Sequence, residues 1–338
     1  MKGQSPMQQN FNPRLIADIG GTNARFGIEV APFEYTEIKK LSCADYPTLS
    51  NAILSYLEMV NLTGKIHHAS LAIPSPIAGN DDMFMVNSPW NGQSMSKVSG
   101  EVGMKKVIFL NDFHALALSI PNIKQSHLVK IGGHDQLNLS KTISIIGPGT
   151  GLGAATLIKH PTGRFFSVPA EYGRSSFAPA NEEEIELWKF VNRRYSHVST
   201  ERFISGPGLQ LIYEALCSIR GIVFNSIPTP AEIVTRGLTN QEWMFTLTID
   251  IFCRMLGTAA SNLVVTTCSF GGAIIGGGII PQMIEFFVKS GFRGRFEAKG
   301  RFHEYLAQIP VYVIMEKFPA FLGASYALET FLQDGYIP

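Results

Sequence analysis

Charge is scarce in this chain. Only 16% of its 338 residues are Asp, Glu, Lys or Arg, and 28 basic against 27 acidic residues leave a net charge of +1. So balanced a surface generates neither the basic field that draws nucleic acid nor a polybasic membrane patch, and no partner of either class is expected. Cysteine is scarcer still. Cys43, Cys217, Cys253 and Cys268 lie among apolar neighbours without metal-ligand spacing, and reduced thiols in the core are expected. Residues 1–12 lack the apolar run of a secretory signal, which predicts a disordered start and a cytoplasmic protein. The Gly-Lys-Ser/Thr ending of a P-loop is missing, as is Rossmann glycine spacing in a strand-to-helix turn.

One stretch, residues 255–284, has no charge at all and is long enough to span a bilayer. Asn262, Thr266, Thr267 and Ser269 interrupt it, and Gly271-Gly272 and Gly276-Gly277-Gly278 break it. A buried helix from 243 to about 263, a buried strand at 273–275 and a glycine turn are expected instead. Apolar residues make up 45% of the chain, enough at this length for two domains with a core each.

Glycine is concentrated at three places. The first is Ala17-Asp18-Ile19-Gly20-Gly21-Thr22, between the apolar runs 15–17 and 26–30. It reads as a strand, a glycine hairpin and a second strand. Two glycines remove the Cβ atoms that would keep a phosphate from the backbone N–H groups. Thr22 adds a hydroxyl, and Asp18 suits a Mg²⁺ held through water, because hard cations take oxygen ligands. An ordinary Gly-Gly β-turn fits this one segment too. The second place, Gly147-Pro148-Gly149-Thr150-Gly151-Leu152-Gly153, again separates two strands. In the third, a strand runs into Gly276-Gly277-Gly278 ahead of a helix starting near Pro281. Three such loops, each after a strand, point to a nucleotide gripped by backbone amides.

Strands are expected at 15–18, 24–30, 35–41, 68–73, 107–110, 143–146, 154–158 and 311–314. Helices are expected at 49–60, 113–119, 208–218, 231–236, 243–263, 281–289 and 321–331. A further helix begins at Asn181, which reads as an N-cap with Glu184 reaching back. Ile185, Trp188, Val191 and Tyr195 form its apolar stripe. Each half opens with an antiparallel glycine hairpin and continues as alternating strands and helices, which predicts two α/β lobes facing a cleft. Ligands in such folds sit at the carboxyl ends of strands, where both hairpins and Asn111-Asp112 fall.

Several motifs together resemble the bacterial glucokinases of the actin-like ATPase and sugar-kinase superfamily. They are segment 17–25, Asn87-Ser88-Pro89-Trp90, Leu110-Asn111-Asp112-Phe113, segment 147–153, His197-Val198-Ser199-Thr200-Glu201-Arg202, Ser205-Gly206-Pro207-Gly208 and segment 271–281. The likeness continues through Gly291-Phe292-Arg293 and Lys299-Gly300-Arg301-Phe302, from about 15 to 332. It implies a two-lobed, ribonuclease H-like α/β fold with an interlobe cleft. The small lobe would be 13–122 plus 318–338, and the large lobe 123–317. It also implies a homodimer that phosphorylates glucose with ATP and Mg²⁺. Ala17, Asp18, Ile19, Gly20, Gly21, Thr22, Gly149, Thr150, Gly151 and Gly277 would bind ATP. Asp112 would be the general base, and Asn111, Asp112, Glu171, Arg174 and Glu201 would bind the sugar.

Asn111-Asp112 also reads as a helix N-cap, and Glu201 as a solvated acid at a helix start. One departure from the family pattern matters: Glu171-Tyr172-Gly173-Arg174 stands where glucokinases usually carry Glu-Gly-Gly-His. Arginine only donates hydrogen bonds and is permanently charged. Arg174 can therefore neutralise Glu171 three residues away, point outward, or meet an anionic group on a modified sugar. Kinases of another hexose and a catalytically impaired sensor are the competing expectations.

Overall fold

A computed structural model describes residues 11–338 except 78, 80, 86, 87, 135, 240 and 241. The expected disordered start, up to residue 10, and Asn87 lie outside the described residues. In chain order the first elements are β1 (Arg14–Ile19), β2 (Asn23–Ala31), β3 (Glu34–Ser42), α1 (Leu49–Met59), β4 (His68–Ile73), α2 (Met95–Val102), β5 (Lys106–Asn111) and α3 (Asp112–Ser119). Next come β6 (Leu128–Gly132), β7 (Ile143–Pro148), β8 (Leu152–Lys159), β9 (Phe165–Ala170), α4 (Glu182–Asn192), α5 (Gly206–Ile219), α6 (Pro230–Leu238) and α7 (Trp243–Thr267). The last are β10 (Gly272–Ile275), α8 (Ile284–Lys289), α9 (Phe292–Glu297), α10 (His303–Gln308), β11 (Val311–Ile314) and α11 (Pro319–Asp334).

The chain divides into two compact units. Residues up to Ile123 together with Lys317–Pro338 form unit 1, and Lys124–Glu316 forms unit 2. Unit 1 holds a five-stranded sheet ordered β3-β2-β1-β4-β5, in which β1 runs antiparallel to β2 and parallel to β4. Unit 2 holds a sheet ordered β6-β11-β10-β7-β8-β9, with β7 antiparallel to β8 and parallel to β10. Apart from β6, added antiparallel on β11, the second order repeats the first.

β1 is covered on both faces, which is why it reads as an unbroken apolar run rather than an alternating one. β3 is the edge, and Glu34, Glu37, Lys39 and Lys40 along it discourage pairing with another chain. α11 completes unit 1. Its Gly323 approaches α3 so closely that a Cβ there would lie 1.7 Å from the Ala115 carbonyl oxygen. Arg14, nearly buried on β1, pairs with Glu29 at 3.3 Å and with Glu329 of α11 at 2.7 Å.

α7 is long and apolar enough to cross a membrane by composition, yet most of it packs into the unit 2 core with α5 and β7. It runs four residues past the expected end and stops at Cys268, whose left-handed backbone (φ 49°) caps it. Cys268 is exposed, so only three of the four cysteines are core thiols. Pro281 opens a short 3-10 turn, and the α-helix proper starts at Ile284. The Asn181 side chain accepts from Glu184 N–H at 2.8 Å, but the Glu184 carboxylate reaches Ala180 N–H, one residue further back. Leu187 and Val191 are fully buried, and Ile185 is only half-buried. Trp188 and, just beyond the helix, Tyr195 pack half-buried against the same core, Tyr195 also lying under the Arg202 guanidinium.

Candidate active site

In unit 1 the antiparallel register sets Asp18 opposite Arg25, and their side chains pair at 3.2 Å. Burial pushes the Asp18 carboxyl above the usual carboxylate range, and the Arg25 guanidinium offsets part of that shift. The turn between them closes with Gly20 N–H donating to Asn23 C=O at 2.8 Å, while Cys43 N–H donates to Thr22 C=O at 2.9 Å. Among the described residues, nothing accepts from the N–H groups of Gly21 or Thr22. Two unpaired donors beside a carboxylate are suited to a phosphate oxygen and a hydrated cation.

β5 ends at Asn111, and α3 starts at Asp112. Asn111 caps that helix, accepting from Phe113 N–H at 3.0 Å and His114 N–H at 3.2 Å. Its amide donates to Ser75 C=O at 3.3 Å, so the Asn111 side chain is held from both ends. Asp112 occupies the first helical position, where Phe113 N–H donates to Oδ1 at 2.9 Å. A carboxylate there is favoured by the helix dipole. Capping thus falls chiefly to Asn111, and Ser75 is a support that nothing in the sequence signalled.

In unit 2 the β7–β8 turn closes with Gly149 N–H donating to Gly151 C=O at 2.8 Å, and Gly206 N–H at the start of α5 donates to Gly149 C=O at 2.8 Å. A Cβ on Gly149 or Gly278 would meet no protein atom within 4 Å, so the fold itself does not require glycine there. Gly277 differs. Its φ is +79°, and a Cβ would lie 2.3 Å from the Pro148 carbonyl oxygen. Its glycine is accounted for by packing between loops, and Gly278 is the position that lies open.

The remaining acids and Arg174 lie close by within the same unit. Glu171 is exposed, and among the described residues its carboxylate has no hydrogen-bond or ion-pair partner. Arg174 does not neutralise it. Arg174 Nη1 instead donates to Glu201 Oε1 at 2.7 Å, while Leu152 N–H donates to Glu201 Oε2 at 2.9 Å. A Cβ on Gly151 would lie 2.5 Å from Glu201 Oε2, so glycine at 151 makes room for a carboxylate. The two acid-bearing loops are tied together by Thr200 N–H donating to Ser175 C=O at 2.8 Å and by their hydroxyls at 3.1 Å. Tyr172, in the place of a family glycine, packs half-buried against the unit 2 core.

A sheet of this order built twice, with a glycine hairpin opening each copy and polar residues at the strand ends, is the fold of the actin-like ATPase and sugar-kinase class. The chain matches the Glucokinase family over residues 15–331. It is 41% identical over 330 residues to a glucokinase of Neisseria meningitidis, covering 98% of this chain and 99% of the relative. Its structure superposes with a TM-score of 0.79 on the crystal structure of glucokinase from an Antarctic psychrotroph, at 31% identity over 95% of this chain and 99% of the other. The same fold recurs at 16% identity and a TM-score of 0.66 in a ROK family glucokinase from Streptomyces griseus, solved with glucose and AMPPNP, over 94% of this chain and 99% of that one. The chain belongs to the glucokinase family. It is a sugar-phosphorylating kinase, a transferase.

Proposed function

We propose that this enzyme transfers the γ-phosphoryl group of ATP to the 6-hydroxyl of glucose, with Asp112 as general base. One observation carries the proposal: Asp112 stands at the first position of α3 with its Oδ1 accepting from Phe113 N–H at 2.9 Å, beside an Asn111 clamped by three hydrogen bonds. A base so fixed costs little reorganisation when it accepts the hydroxyl proton. Glu171 and Glu201 supply acceptors for the sugar hydroxyls, the unpaired Glu171 carboxylate suiting that task, and Asn111, its Oδ1 engaged by two N–H groups, offers its second amide N–H.

The donor set fits Mg·ATP. The unpaired N–H groups after β1 can take phosphate oxygens, and the missing side chains at Gly149 and Gly278 leave room for a phosphate to approach the backbone there. Ala17, Ile19, Gly20, Thr150, Gly151 and Gly277 shape those loops. Asp18 would hold Mg²⁺ through water, and the bound cation would offset charge on the transferring phosphoryl group. The two units would act as the small and large lobes of a cytoplasmic homodimer that needs neither nucleic acid nor a membrane.

The test is a coupled assay of the purified chain with Mg·ATP and a panel of hexoses. Glucose 6-phosphate formation is expected. Failure to phosphorylate glucose or any common hexose would sink the proposal. Arg174, standing where the resemblance places histidine, favours one second reading, a preference for another hexose. Glucose turning over more slowly than a second sugar in the panel would select it.

A further inference from the structure

We infer that Arg174 is a positioning residue for Glu201, fixing its carboxylate as a preformed acceptor for the sugar. This rests on the sugar-binding role proposed for Glu201. The two oxygens of that carboxylate are held from different elements: Oε2 by Leu152 N–H of β8 at 2.9 Å, Oε1 by Arg174 at 2.7 Å. Two anchors on two atoms fix the side-chain torsions, and each oxygen keeps a further lone pair for a hydroxyl. The backbones that carry the pair are also locked. Arg174 N–H donates to Glu171 C=O and Ser175 N–H to Tyr172 C=O, each at 3.0 Å, and Ser175 is bound to Thr200, next to Glu201.

The arrangement also states what kind of sugar edge fits. With Arg174 engaged on Oε1 and Leu152 N–H on Oε2, the free lone pairs of Glu201 face a sugar as acceptors, which suits the donating hydroxyls of a neutral ring. The Arg174 side chain is 61% exposed, so replacing it empties no core and the variants are expected to fold.

The experiment is a double-mutant cycle on the full chain with Arg174→Gln, Glu201→Gln and the double variant, plus Arg174→Lys. Arg174→Gln is expected to raise the glucose KM about tenfold, the effect of one charge-assisted hydrogen bond, with kcat and the Mg·ATP KM nearly unchanged. Arg174→Lys should recover part of the loss, since it keeps the charge without the planar fork. In the Glu201→Gln background, Arg174→Gln should add nothing. An unmoved KM, a matching fall in kcat, or effects that multiply in the double variant would overturn the inference. Calorimetric glucose binding separates it from the reaction. A wild type that binds glucose without turnover sinks the reaction and keeps the pair, whereas equal affinity in wild type and Arg174→Gln sinks the pair alone.

Discussion

Replacing Asp112 by Asn separates chemistry from structure at the end of β5. The amide keeps an oxygen where Oδ1 now accepts from Phe113 N–H at 2.9 Å, so the first turn of α3 retains its local bond. At the helix N-terminus what is lost is one charge, about 0.3–1 kcal/mol. At roughly 2–4 °C per kcal/mol for a large domain, melting should move by a few degrees at most. What is lost chemically is the base, typically 10²–10⁴-fold, or about 2.7–5.4 kcal/mol of transition-state stabilisation. The neighbouring Asn111→Ala should invert the balance. It removes the cap bonds to Phe113 and His114, costing about 1–2 kcal/mol of stability. The assay is kcat at saturating glucose and Mg·ATP beside a thermal melt of each variant. An Asp112→Asn enzyme within tenfold of wild-type kcat, or one that does not fold, refutes the reasoning.

Gly151→Ala should fold and still raise the KM for glucose, because the new methyl falls 2.5 Å from Glu201 Oε2 and the flexible side chain yields. A rise confined to the ATP KM would place Gly151 with the nucleotide alone. Gly323→Ala should destabilise unit 1 by about 1–3 kcal/mol or more, the usual cost of overpacking, since a Cβ 1.7 Å from the Ala115 carbonyl oxygen forces α11 off α3; an unchanged melt would contradict that contact. Burial raises the Asp18 carboxyl, so it protonates above the usual carboxylate range. Mg·ATP affinity should therefore weaken on the acid limb of the pH profile, and that limb should vanish in Asp18→Asn. The stability it contributes has the opposite sign: present below the unfolded-state pKa, it is lost as pH rises through the folded one. A profile identical in Asp18→Asn would remove Asp18 from the cation.

The elements that could be read from the chain are those whose pattern is local. β4 and β11 are apolar runs with clear ends, and the glycine hairpins announce themselves by composition. The cap at Asn111 and the acid after it follow from residue type at a strand end. The elements that escaped have weak patterns. β9 is an edge carrying Pro169 and an exposed Val168, and α9 and α10 are six residues each, too short for a 3.6-residue period to register. At the site the hidden part is pairing. From spacing, the acid nearest Arg174 is Glu171, three residues away; the fold instead brings in Glu201, 27 residues on. Glycines 277 and 278 look alike in sequence, and only the backbone angle and the Pro148 carbonyl tell them apart.

The sheet of unit 1 is assembled from the opening third of the chain, but the helix that seals it, α11, is translated only after unit 2. Until α11 emerges, Arg14 lacks Glu329, Tyr35 lacks Ser325, and His114 lacks the Pro338 carbonyl. At ribosomal speeds of about 5–20 residues per second, the whole of unit 2 intervenes, a wait on the order of tens of seconds. During synthesis the nascent amino-terminal part therefore stays unfinished and open to chaperones. A stop codon shortly before α11 would disable the half of the enzyme that was made first.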